Sequence, residues 1–201
     1  MSQTAIAQAD WGGGASPFGV TWQKMMMWFF IVTDALLFAG LLVSYGVIRI
    51  TAGAWPAQGE VFSLTYIAAM TFVLISSSAT MACAVAAAER GERKMVTLCL
   101  WLTILGGFGF LGMQAYEWSV FIHEGGGLAA NPWGPPTFSQ FFFIITGFHG
   151  FHVLTGVTVL LVVAIRQLMG RYSAAGVENA GLYWHFVDLV WVFVFALFYL
   201  I

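Results

Sequence analysis

The chain has 201 residues, of which 60% are hydrophobic and only 8% charged, where ordinary soluble domains carry roughly 25% charged. That composition argues against a soluble globular fold and reads as an integral membrane protein. The formal net charge of −2 gives no reason to invoke nucleic acid.

Residues 1–24 lack a basic segment followed by an apolar core, so they match neither a secretory signal nor an Arg-rich transit peptide. They read as a glycine-rich tail on the cytoplasmic side. A bilayer core needs about 20 apolar residues per helix. Residues 25–201 offer five such stretches: Met25–Ile50, Val61–Ala88, Val96–Ile122, Thr137–Ile165 and Ala180–Ile201. Gly53-Ala54-Trp55-Pro56 separates the first two, and a charged run from Glu89 to Lys94 the next two. Glycines 125–127 with Pro132, Pro135 and Pro136 form the longest loop, and Arg166 through Glu178 closes the fourth span. The expected class is therefore all-α, a polytopic membrane protein of five transmembrane helices. No repeat of 20–50 residues is visible, which disfavours a solenoid or an inverted-repeat transporter.

Lys24, Arg90, Arg93, Lys94, Arg166 and Arg171 fall on the side of the N-terminus and Arg49 alone on the other. The bias places the N-terminus inside and the C-terminus outside. Trp22, Trp28, Trp55, Trp118 and Trp133 sit near span ends, as interfacial anchors do. Cys83 and Cys99 have neither disulfide nor metal-site spacing and read as small buried hydrophobes.

The candidate functional residues are the ionisable groups at membrane depth: Asp34, His149, His152, His185, Asp188 and, near the outer end of its span, Glu117. Thr146–Gly156 (TGFHGFHVLTG) puts two histidines three residues apart in an apolar run, and Tyr183–Trp191 (YWHFVDLVW) spaces His185 and Asp188 likewise. At about 1.5 Å per residue, Asp34 lies roughly 14 Å from the inner end of its span and His149 roughly 18 Å from its outer end. Both are near the midplane, where an unpaired polar group is costly. Asp34 is therefore expected to pair across helices with His149 or His152. Haem ligation by His152 and His185 is the first competing use, but the two fall at unlike depths and His149 would stand idle. A metal site wants three or four convergent ligands, and the Glu-x-x-His signature of carboxylate-bridged sites is absent. Too few polar residues line any one helix for a continuous proton wire. Ser76-Ser77-Ser78, Thr80 and the Gly106-Gly107-x-Gly109-x-x-Gly112 run read as close helix contacts. The phenylalanines at 141–143, 148, 151, 193, 195 and 198 read as faces for lipid or a neighbouring subunit.

Four segments in register carry a resemblance: Leu74–Thr80 (LISSSAT), Leu102–Trp118 (LTILGGFGFLGMQAYEW), Thr146–Val153 (TGFHGFHV) and Tyr183–Trp191. Together they resemble subunit III of haem-copper terminal oxidases in its bacterial five-helix form, over nearly the whole chain after the tail. Asp34 sits where that family has a membrane-embedded glutamate in an ExxFF motif; here Asp-Ala-Leu-Leu-Phe stands instead and keeps the carboxyl. Glu117, His149, His152, His185 and Asp188 match the family's polar positions. Arg166 resembles a basic residue that meets a lipid phosphate.

The resemblance implies a two-helix and a three-helix group separated by a cleft filled with phospholipid. It implies a non-catalytic core subunit of a proton-pumping oxygen reductase, with no redox centre, metal or cofactor of its own. The haems and copper would lie on partner subunits. The implied role is to support proton uptake and to stabilise catalytic subunit I, its direct contact. Subunit II is a further partner, with a small subunit IV and a respiratory supercomplex as candidates. The implied location is the bacterial inner membrane, with the C-terminus periplasmic. Whether cytochrome c or quinol donates electrons stays open. The alternative is an independent membrane cytochrome or small transporter that uses the intramembrane histidines and aspartates directly.

Overall fold

The computed structural model describes residues 20–171 and 173–201; most of the N-terminal tail lies outside them. Among the described residues there are five helices long and apolar enough to cross a membrane. They are α1 (Trp22–Thr51), α2 (Leu64–Glu89), α3 (Arg93–His123), α4 (Pro136–Leu168) and α5 (Ala174–Val194), and a π-helical turn at Phe195–Leu200 extends the last. We call the end where α1, α3 and α5 begin the N-side, and the opposite end the C-side.

Local chemistry sets the helix ends. Thr21 and Ser173 cap α1 and α5 by accepting from the amides of Lys24 and Gly176. Pro136 opens α4 at the one position where a missing amide costs nothing. The tight α2–α3 turn needs a left-handed residue, supplied by Gly91 at φ 73°. In that turn the Arg90 guanidinium, 2.7 Å from Glu92, holds the carboxyl below its ordinary range through their hydrogen bond.

The five-span, all-helical architecture is the one expected. The grouping within it differs. α2 packs most extensively on α3 and also on α5, so it belongs with α3, α4 and α5 in one bundle. α1 stands against the outside of that bundle, on α5 and to a lesser extent α4. Among the described residues the first two helices therefore do not form a pair of their own. The reason is the small-residue face that α2 turns to α3 and α5. A Cβ on Gly106 would fall 2.6 Å from Ser77 Cβ, and one on Gly181 would fall 2.8 Å from Val85, so the backbones meet closely there. Gly107 is equally tight, but against Val157 of α4 and Trp184 of α5, whereas Gly109 and Gly112 have room.

Other differences follow from packing. α5 begins at Ala174, six residues before the apolar stretch, because Glu178 in its first turns is answered by Lys24 of α1 at 2.5 Å. Phe142 and Phe198 are fully buried rather than lipid-facing; they join Phe62, Phe121, Phe138 and Tyr199 in an aromatic cluster on the C-side. Phe151 and Phe193 do face outward. Trp118 turns into the bundle, where its indole donates to Thr146 Oγ1 at 3.0 Å. Cys83 is exposed on α2, and only Cys99 is buried; a thiol is apolar enough to face lipid.

Candidate functional site

Asp34 projects from α1 towards α4, where its Oδ2 lies 3.2 Å from His152 Nε2. The approach is within ion-pair range but off the line of a hydrogen bond. His152 Nδ1 lies 2.7 Å from the Phe148 carbonyl. A carbonyl oxygen only accepts, so Nδ1 must carry a proton. Nε2 is left to face the carboxylate. Phe38, Phe148 and Phe151 surround the imidazole at ring separations of 5.3, 4.6 and 5.7 Å. Tyr183 donates to the His152 carbonyl at 3.2 Å, which ties α5 into the same contact.

His149 does not join this pair. It is fully buried, and neither ring nitrogen has a hydrogen-bond partner among the described residues. Of the two partners expected for Asp34, His149 is therefore not the one; it fills an aromatic box. Trp191 lies 5.0 Å from it, tilted, and Phe110 meets it edge-on at 5.6 Å. Its ring therefore contributes shape rather than polarity. His149→Phe is accordingly expected to leave the unfolding temperature unchanged or raise it, because a phenyl ring removes two unpartnered nitrogens at similar volume. A loss of several degrees in a thermal melt of the purified complex would contradict that assignment.

His185 and Asp188 lie on α5 beside α2. Ser78 Oγ and His185 Nδ1 hydrogen-bond at 2.7 Å, and Asp188 lies against both residues. Glu117 of α3 accepts from Tyr199 at 3.1 Å, while its second oxygen has no partner among the described residues. Arg166 is exposed at the N-side end of α4. With Arg171, Gln23 and Ser173 it lines a half-polar groove of about 260 Å³. The six candidates thus fall into four separate places rather than one site, and among the described residues no three His, Cys, Asp or Glu side chains converge as a metal set.

Several polar contacts were missed at the level of residues. Gln114 donates to the Thr146 carbonyl at 2.5 Å, and the Trp184 and Trp191 indoles donate to Ser77 and Thr71 at 3.1 and 3.0 Å. Thr80 and Thr103 hydroxyls join α2 to α3 at 2.8 Å. A signal existed for Gln114, since it sits one turn before Glu117 in an apolar run. The indole partners had none, because they require knowledge of which helices touch.

Comparison with known proteins gives a consistent result. Residues 5–201 match the family model of cytochrome c oxidase subunit III. The cytochrome c oxidase subunit 3 of Corynebacterium diphtheriae is 36% identical over 178 residues, covering 86% of this chain and 84% of that protein. The protein of the same name from Bacillus sp. (strain PS3) is 32% identical over 176 residues, covering 86% and 83%. Quinol oxidase subunit 3 of Bacillus subtilis is 31% identical over 176 residues, covering 86% and 84%.

Proposed function

The chain belongs to the cytochrome c oxidase subunit III family, and we propose that it serves as a non-catalytic core subunit of a haem-copper oxygen reductase, supporting proton uptake and the stability of the catalytic subunit. The observation that carries this reading is the dispersal of the buried polar groups. Asp34 meets His152, Ser78 meets His185 and Glu117 meets Tyr199 between helices, His149 sits apart in its aromatic box, and among the described residues no three His, Cys, Asp or Glu side chains converge. In this reading the chemistry belongs on a neighbouring subunit. In this reading the N-terminus lies inside a bacterial inner membrane, and subunits I and II are the assembly partners.

Phospholipid is part of the same proposal. An apolar groove of about 560 Å³ runs between α1 and α5, lined by residues such as Ala35, Leu42, Val190 and Phe193. It suits acyl chains. Arg166, with Arg171 beside it on the N-side, suits a lipid phosphate.

Purification of the native complex through a tag on this chain tests the reading. The chain is expected to bring down a haem-bearing subunit, and the complex to take up oxygen with either reduced cytochrome c or quinol as donor. The chain stripped of its partners is expected to show no Soret band. A Soret band retained by the isolated chain would overturn the proposal and favour a free-standing cytochrome.

A further inference from the structure

Helices α2 and α3 run antiparallel, so the start of one and the end of the other stand side by side on the C-side. Between them lies a pocket of about 300 Å³, bordered by Ser63, Tyr66, Tyr116, Glu117 and Glu124. The two helix ends carry opposite partial charges. Ser63 gives α2 no side-chain cap, which leaves the first amides of that helix without one. Opposite them the pocket is acidic. Glu124 is exposed at its mouth. Glu117, 7% exposed, forms its floor, and one of its carboxyl oxygens has no partner among the described residues. The lining holds no lysine or arginine. The rings of Tyr66 and Tyr116 stand 5.6 Å apart. Tyr66 is fixed by donating to the Met113 carbonyl at 2.9 Å, and Tyr116 is 60% exposed.

Deeper in the membrane the same seam opens again, into a largely apolar groove of about 340 Å³ bordered by Phe72, Val73, Ser76, Leu102, Leu105 and Gly106. Leu105, Gly109, Gly112 and Tyr116 form one stripe of α3 at helical spacing, and it joins the groove to the pocket. Its two middle positions have no side chains to block the way. Nothing lies within 4 Å of a Cβ at Gly112, and only Val73, at 3.6 Å, at Gly109. At about 1.5 Å per residue, Tyr116 and Leu105 are roughly 16 Å apart along α3. That is about half of a bilayer core of about 30 Å, so one lipid of the C-side leaflet reaches both.

We propose that the outward α2–α3 seam holds one phospholipid of the C-side leaflet whose headgroup pairs a phosphate with a primary ammonium. The ammonium sits at Glu124 and the two tyrosines, and the phosphate at the first amides of α2. An acyl chain runs over Gly112 and Gly109 into the groove. Charge selects the headgroup. An anionic lipid would bring net negative charge to an acidic lining with no base to answer it, whereas a zwitterion suits both helix ends at once. The acceptors select the kind of ammonium: a primary one has three N–H donors for Glu124 and Ser63, and a quaternary one has none. The site is distinct from the α1–α5 groove, whose lining carries no charged or hydroxyl side chain.

Photolabelling tests it, with the full chain and whatever subunits accompany it placed in vesicles of phosphatidylglycerol. The vesicles carry a trace of phosphatidylethanolamine bearing a photoreactive acyl chain, and mass spectrometry locates the labelled peptides. Labels are expected within 72–80 of α2 and 102–112 of α3, despite the excess of anionic lipid, and unlabelled phosphatidylethanolamine is expected to displace them. Labels spread evenly to outward positions such as Leu36 and Phe151 would mean boundary lipid only and would overturn the site. A seam without labels would overturn it as well. Displacement by phosphatidylcholine as strong as by phosphatidylethanolamine would overturn the primary ammonium. In Glu124→Gln the displacing lipid is expected to act about threefold more weakly, the loss of one exposed charge pair. Glu124→Lys is expected to remove the preference over phosphatidylglycerol. Glu124 is exposed, so both variants fold as the parent does; labelling unchanged in both would count against the site.

Discussion

Gly107→Val is expected to abolish accumulation of the folded chain in the membrane. Four helices come together around this position. A Cβ on Gly107 would fall 2.6 Å from Val157 Cγ2 on α4 and 2.7 Å from Trp184 Cη2 on α5. Neither neighbour has room to retreat. Val157 is 1% exposed. Trp184 is held by its indole hydrogen bond to Ser77 on α2, and the other edge of its ring already lies against Gly156, where a Cβ would come within 2.9 Å. Overpacking by a methylene or two in a dense core costs typically 1–3 kcal/mol, about; a branched side chain at backbone-to-ring contact asks for more. Whole domains hold only about 5–15 kcal/mol in reserve. Gly112→Val is the control, because nothing lies within 4 Å of a Cβ there. The measurement is the yield of monodisperse chain in mild detergent and its melting temperature. Yields for Gly107→Val equal to those for Gly112→Val would refute the packing described.

How much of this could be read in advance depended on which physical signal each feature leaves in the chain. Hydropathy is a strong signal, and it located five spans because a bilayer demands unbroken apolar runs. The start of α5 escaped it. Glu178 and Asn179 dilute the apolar run, and Glu178 is answered by Lys24, a residue 154 positions away. Helix grouping also left no trace. Lipid-facing and core-facing positions in a membrane draw on the same residues, so the buried Phe142 and the exposed Phe151 look alike in sequence. Polar residues speak more clearly, since each is costly at depth. That cost singled out Asp34 together with two histidines, but not which histidine it would face. His149 and His152 are three residues apart on one helix, and only the placement of α1 against α4 decides that His152 meets the carboxylate while His149 turns towards Trp191. Cys83 shows the same limit: an apolar neighbourhood in sequence does not say whether protein or lipid supplies it.

Asp34→Leu is expected to release α1 from the bundle. α1 is the least supported of the spans, with Asp34, Phe38, Leu42 and Tyr45 among its few buried residues. Of these, only Asp34 meets a charge-bearing partner, at 3.2 Å from His152. Removing one member of a buried pair leaves the other unanswered, at a cost of about 3–5 kcal/mol. His152 cannot turn elsewhere, because its Nδ1 is committed to the Phe148 carbonyl and three phenyl rings enclose it. The damage should be local first. Proteolysis in the segment 52–57, which links α1 to the next helices, is expected to speed up before the rest of the bundle unfolds. Asp34→Asn should lose less, since an amide can still face Nε2. The decisive comparison is the double variant Asp34→Leu with His152→Phe. It removes both polar partners and fills the space with apolar side chains, so it is expected to melt closer to the parent than Asp34→Leu does alone. If the two substitutions simply add in the melting temperature, the carboxylate and the imidazole do not stabilise one another, and α1 is held by its packing and by the Lys24–Glu178 contact.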